Sequence, residues 1–146
     1  MKKSIPIITN VVLLCWFFLD MVGVYVGDKY LVTRSYKEDG IFMIIPTLAL
    51  LLFIFREKIG KYVLIVWLSL WSVMQFLSHE WYTIFGRGIM GNVESKIRYF
   101  KDAIRLIESD TRYITDVYHT ILHIFLIIAL ITTIAYSISK RDKVAK

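Results

Sequence analysis

The sequence predicts an all-α fold: an integral-membrane, four-helix transmembrane bundle with one extra amphipathic helix in the outer loop between the third and fourth spans. Three observations carry that prediction. The chain of 146 residues is 57% hydrophobic, with a mean hydropathy of +0.58, whereas a soluble domain holds roughly 45–50% apolar residues. Its apolar residues gather into four runs, 5–26, 41–55, 62–78 and 117–138. Its basic residues concentrate beside alternate ends of those runs. The length suits a single domain over 1–146.

A bilayer core about 30 Å thick takes roughly 20 helical residues. The first and fourth runs meet that length. The first opens on Lys2 and Lys3 like a signal peptide, but its apolar stretch is too long and no A-x-A-like site follows it, so it reads as an uncleaved anchor and first span. Cys15 in VLLCW follows Leu14 rather than a small residue and reads as an ordinary apolar helix position. Asp20 lies about six residues inside the outer end of this span, with Gly23 and Gly27 beyond. The stretch GDKYLVTRSYKEDG reads as a short polar loop. The second run holds only 15 residues between Gly40 and Arg56, so it thins the bilayer or lets Arg56 and Lys58 reach outward. Pro46 sits in its first turns, where a missing donor costs least. The REKIGK turn is tight and makes the second and third helices antiparallel neighbours. The third run extends into Trp81 and Tyr82 at headgroup level. Its Ser69, Ser72, Gln75 and His79 follow one another at helical spacing, a polar row that should face other helices.

The long outer segment contains a literal G-x-G-x-x-G at Gly86, Gly88 and Gly91. A dinucleotide fingerprint must follow a strand, and this follows a membrane helix, so it reads as a glycine turn. An amphipathic helix is expected over 92–108, with Asn92 as its cap and Val93, Ile97, Phe100, Ile104 and Ile107 at helical spacing. Lys96, Arg98, Lys101 and Arg105 lie off that stripe, and the expectation is a helix resting on the outer leaflet rather than a lid over the bundle.

Lys2, Lys3, Arg56, Lys58, Lys61, Lys140, Arg141, Lys143 and Lys146 lie in three short segments, whereas the other basic residues are spread through the outer loops among most of the acids. The distribution places both termini in the cytoplasm of a multi-pass protein of the bacterial cytoplasmic membrane. The net charge of +6 is then a topological signal and an attraction to anionic lipid. No basic face of a nucleic-acid-binding domain is present, so nucleic acid is excluded as a partner. Most tryptophans and tyrosines fall near the ends of the spans as interfacial belts.

The chemistry-bearing stretch is DVYHTILH, 116–123. At 100° per residue, Asp116, His119 and His123 fall within about 60° of one another, with Arg112 and Thr120 at the border of that face. The topology brings His79, Glu80 and Asp20 to the same outer level. Ionisable groups at membrane depth are costly unless they face the bundle interior and find partners. The leading expectation is a transition-metal site, zinc above all, with His79, His119, His123 and Asp116 as ligands and Asp20, Gln75, Glu80 and Ser72 around them. Zinc there makes a membrane enzyme with an activated water conceivable. A b-type haem between His79 and one later histidine is a weaker alternative, and a proton or ion relay through Asp20, Gln75, His79 and His123 needs no cofactor. Against these stands a structural reading in which the acids and histidines only hydrogen-bond one another and Asp116 stabilises the start of the last helix or pairs with Arg112. Beside the bilayer itself, the partner expectation is another protein or a second copy of this chain, as for an accessory, immunity or sensor subunit.

Overall fold

A computed structural model of the chain describes residues 1–109 and 111–144. Lys146, one of the C-terminal basic residues, lies outside the described residues. All four apolar runs form helices, and their boundaries differ from expectation in ways that matter to the site.

Helix α1 spans Ser4–Val22 and buries Pro6, Asn10, Leu13, Phe17 and Asp20, one face at spacings of four and three. It stops four residues short of the boundary at 26. Gly23 takes a φ of 75° while its amide bonds back to Leu19, a backbone few other residues tolerate. The apolar Val24–Val26 that follow form strand β1, paired antiparallel with β2, Lys29–Val32. Between them Gly27 (φ 61°) and Asp28 make a two-residue turn with positive φ at its first position only, as a type II′ hairpin requires. The loop expected at GDKYLVTRSYKEDG is therefore largely hairpin.

Helix α2 runs Tyr36–Phe55, starting five residues before the predicted run. The Ser35 carbonyl accepts from the amides of Glu38 and Asp39, and these two acids in the first turn suit the positive end of the helix dipole. Its 20 residues correspond to about 30 Å at 1.5 Å each, which removes the shortfall in the second span. Arg56 alone separates it from α3, Glu57–Gln75. Gly60 makes this sharp reversal possible, because a Cβ there would collide with the backbone of Leu52 and Phe53. A π turn over Phe76–Glu80 then leads into α4, Trp81–Phe85, which ends at Gly86 in a left-handed conformation.

The helix expected over 92–108 is much shorter. Helix α5 covers Val93–Tyr99, with Asn92 Oδ1 accepting from the amides of Glu94 (2.7 Å) and Ser95 (3.2 Å) as the expected cap. Beyond Phe100 the chain runs beside the open edge of β2: Tyr30 N–H donates to Asp102 O (3.1 Å) and Ile104 N–H to Tyr30 O (2.9 Å). A continuing helix would leave those edge groups unpaired, and an unpaired buried backbone group costs as much as a lost hydrogen bond. Ala103 is 1% exposed beneath this crossing, whereas Leu106 and Ile107 are exposed.

Helix α6, Val117–Val144, presents Tyr118, Leu122, Leu126, Ala129, Thr133 and Tyr136 to the core. Helices α1 and α3 each pack on both α2 and α6, closing a ring of four antiparallel neighbours. Polar ties cross the α1/α6 seam, Thr9 to Thr132 (2.8 Å) and Asn10 Nδ2 to Thr133 Oγ1 (3.3 Å). Four helices, Ser4–Val22, Tyr36–Phe55, Glu57–Phe85 and Val117–Lys140, are long and apolar enough to cross a membrane. The hairpin and the described residues between Gly86 and Asp116 sit together over one end of the ring, hereafter the capped end.

Candidate functional site

Helix α6 begins at the capped end because Asp116 caps it. Its Oδ1 accepts from the amide of His119 three residues on (3.0 Å), the pattern of an N-cap aspartate. The same carboxylate takes His119 Nδ1 at 2.7 Å and 2.9 Å. One side chain thus starts the helix and orients an imidazole through Nδ1, leaving His119 Nε2 outside that contact.

His79 comes from the π turn of the third helix and is 7% exposed. A π turn is a one-residue distortion often found at functional sites. The His79 ring stacks on that of His119, with centroids 3.7 Å apart and planes 16° from parallel. Its Nδ1 meets the Tyr113 hydroxyl at 2.8 Å. Burial raises the Tyr113 hydroxyl far above its ordinary pKa, so it stays protonated as a neutral partner. Gln75 Nε2 donates to the His119 carbonyl (3.3 Å), tying α3 to α6 one turn below. Potential ligand atoms of His79, Asp116 and His119 all lie within 4.8 Å of one another.

His123 does not join them. Its Nδ1 lies 3.1 Å from Glu80 Oε1, on a flank lined by Ile124, Ile127 and Ile128. The buried stripe of α6 is centred on Tyr118, Leu122 and Leu126. At 100° per residue His123 falls about 40° further round from that stripe than His119, which turns it toward Phe76 and Glu80 of the π turn rather than toward His79, although its side chain is as little exposed as that of His119. The shared face of Asp116, His119 and His123 is real, but only its inner edge meets α3. Ser72 is buried and donates to the Leu68 carbonyl (2.8 Å), an i−4 bond within its own helix. Arg112 does not pair with Asp116; its Nη2 donates to the carbonyls of Thr83 (2.7 Å) and Ile84 (2.8 Å), closing the end of α4.

Two cavities of about 200 Å³ each adjoin the stacked rings, and Asp20, Asp39, His79 and His119 line both. Trp71, Phe17 and Leu122 line the one on the bundle side, and Phe100, Tyr99 and Tyr30 line the one under the cap. Phe100 stands edge-on to His79 (5.6 Å) and to His119 (5.5 Å). The 93–104 segment is therefore a cover over the histidines, not a helix lying away from the bundle. Lys96 on α5 donates to the Ser78 carbonyl in the π turn and lies over the rings of Tyr82 (4.5 Å) and Tyr113 (5.2 Å). Burial lowers its pKa to about 8, opposed by Asp116 and Glu80.

The chain matches no family model, no curated protein and no solved structure. The site is read from its own geometry.

Sequence reasoning missed Asp39, Tyr113, Phe100 and Lys96. Asp39 falls in the expected loop because the apolar run starts only at Ile41. A signal for it existed: Ser35 followed by Glu38 and Asp39 before an apolar run is a helix start.

Proposed function

We propose that this chain is a multi-pass protein of the bacterial cytoplasmic membrane, with both termini in the cytoplasm and the capped end outside, and that the capped end binds a divalent transition metal through His79 and His119. The membrane reading rests on the outward faces of the four long helices, where Ile8, Leu48, Val66 and Ile131 are each 58–59% exposed. Such a surface suits lipid rather than water.

One observation carries the metal reading: the two imidazoles that meet inside the bundle each have Nδ1 committed to a protein oxygen, Asp116 for His119 and Tyr113 for His79. Metal-bound histidines characteristically use one nitrogen for the ion and the other for such a partner, which fixes tautomer and ring direction. Asp116 is then an orienting residue rather than a ligand, and His123 lies outside the set. An ion must lie near the plane of each ring that binds it, so the near-parallel rings splay when both ligate. Haem fits less well, because its axial ligands stand on opposite faces of a macrocycle while these rings touch. Zinc held here would lower the pKa of a bound water, the basis of a zinc-dependent membrane enzyme.

A second reading, a metal-free proton relay, draws on the same cluster: ring N–H bonds lie in the ring planes, so the stacked imidazoles need water in the adjoining cavities to carry a proton between them. Elemental analysis of protein purified without chelator separates the two. The metal reading expects near one zinc or similar ion per chain, lost in His79→Ala and His119→Ala and kept in His123→Ala. A folded protein that neither carries metal nor takes up added zinc removes that reading and leaves the relay.

A further inference from the structure

Asp20 and Asp39 are the buried charges that the histidine pair does not explain. Asp20 closes α1 at 5% exposure, its backbone carbonyl held by the Ser35 amide (2.9 Å), and its Oδ2 is buried with no hydrogen-bond partner. Asp39, half-buried in the first turn of α2, and the Ser35 side chain line the cavity under the cap with it. Both carboxylates line both cavities beside His79 and His119.

The charges around them do not balance. Among the described residues no lysine or arginine lines either cavity, and of the two imidazoles there His119 is already paired with Asp116. The neighbouring cations are engaged elsewhere: Arg34 lies over the Tyr36 ring, and Lys96 sits among Tyr82, Phe100 and Tyr113. Three carboxylates, those of Asp20, Asp39 and Asp116, thus surround the two stacked imidazoles. Facing carboxylates of this kind need a cation or a proton between them.

Resting on the histidine-pair reading above, we propose that Asp20 and Asp39 are the anionic half of the same site, so that one divalent ion is held by imidazole nitrogen from His79 and His119 and carboxylate oxygen from α1 and α2. The ion then joins all four helices, α1 and α2 through the acids, the third helix and α6 through the histidines. A mixed nitrogen and oxygen set without sulfur suits zinc, manganese, iron(II) or cobalt(II), and is poor for copper(I). Among the described residues only His79, Asp116 and His119 have ligand atoms within 4.8 Å of one another, so the ion draws the acids in, with the orphaned Asp20 Oδ2 as the atom offered to it.

Zinc affinity, measured by chelator competition on the full-length protein in detergent, tests this. Asp20→Asn and Asp39→Asn keep side-chain shape and remove a buried charge, and Asp28→Asn, in the hairpin turn, serves as control. Each site variant should weaken zinc binding by roughly 10–100-fold or more, since even residues that only support a ligand have effects of that size, while Asp28→Asn leaves it unchanged. Should Asp20→Asn fail to fold, the half-buried Asp39→Asn carries the same test alone. Wild-type affinity in Asp39→Asn, with binding abolished in His119→Ala, overturns the proposal and spares the histidine site. A wild-type protein that binds no zinc overturns both.

Discussion

At the scale of single residues, Lys96 shows how the cover over the histidines responds to its surroundings. Its ammonium is donated to a π-turn carbonyl and enclosed by aromatic rings, and burial lowers its pKa from 10.5 to about 8. The charged form is thus disfavoured in the fold relative to the unfolded chain. A depressed folded value means stability that is complete above the unfolded pKa and declines as pH falls through the folded one. Between about pH 8 and 10 thermal stability should therefore rise with pH in the wild type and rise less in Lys96→Met, compared by melting in detergent. Above about pH 10 the sign reverses, because burial holds Tyr30 up at about 12 and Tyr113 higher still, so the unfolded chain ionises first. Identical pH slopes in the two proteins would show that Lys96 is not buried as described. Of the residues gathered at the capped end, His79, His119 and Asp116 are legible in the sequence because a histidine or acid on an apolar helix is conspicuous. Lys96 is not, since a lysine off the apolar stripe of a helix looks like any solvated one. That His123 turns toward Glu80 rather than His79 is not legible for the opposite reason: periodicity gives its angle, while only packing shows where the buried stripe is centred.

At the scale of elements, the departures from expectation that shape the site occur at the capped end, where the apolar runs stop. Val24–Val26 continue the hydropathy of α1, so composition cannot separate a last helical turn from a first strand; the positive φ at Gly23 decides it. The stripe through Ile104 and Ile107 has helical spacing, yet pairing with β2 wins because the hairpin edge offers backbone partners that an isolated helix on a surface lacks. Ile104 is the junction, its amide on Tyr30 and its carbonyl taking the Val117 amide (2.9 Å). Ile104→Pro removes that donor and leaves the Tyr30 carbonyl unpaired, a loss of roughly 1–3 kcal/mol. Hydrogen exchange should show faster exchange in the hairpin and over 93–104, with α1, α2 and α3 still protected. Unchanged protection of the cap would mean that it is not held through β2.

At the scale of the whole molecule, the four-helix ring follows from run length and charge placement, which are global properties that survive local errors of several residues. The ring also sets where chemistry can occur. Its turn end is held by Lys3 with Glu57 (3.4 Å) and Lys140 with Glu57 (3.8 Å), exposed pairs of a kind worth at most about 1 kcal/mol. Its capped end instead gathers buried acids and histidines from every helix. If the chain inserts as proposed, single cysteines at Lys58 and Asp28 in a Cys15→Ser background will label from opposite sides of intact cells, Asp28 with an impermeant maleimide and Lys58 only after permeabilisation. Labelling of both from outside would contradict an even number of spans.

The most direct measurement of the central claim, that helices from all parts of the chain meet around one ion at the capped end, is zinc K-edge X-ray absorption on the purified, metal-loaded protein. The expected shell has two imidazole nitrogens at about 2.0–2.1 Å with oxygen ligands completing it, and the imidazole scattering halves in His119→Ala. A shell of oxygens without imidazole, or sulfur from Cys15, would contradict it.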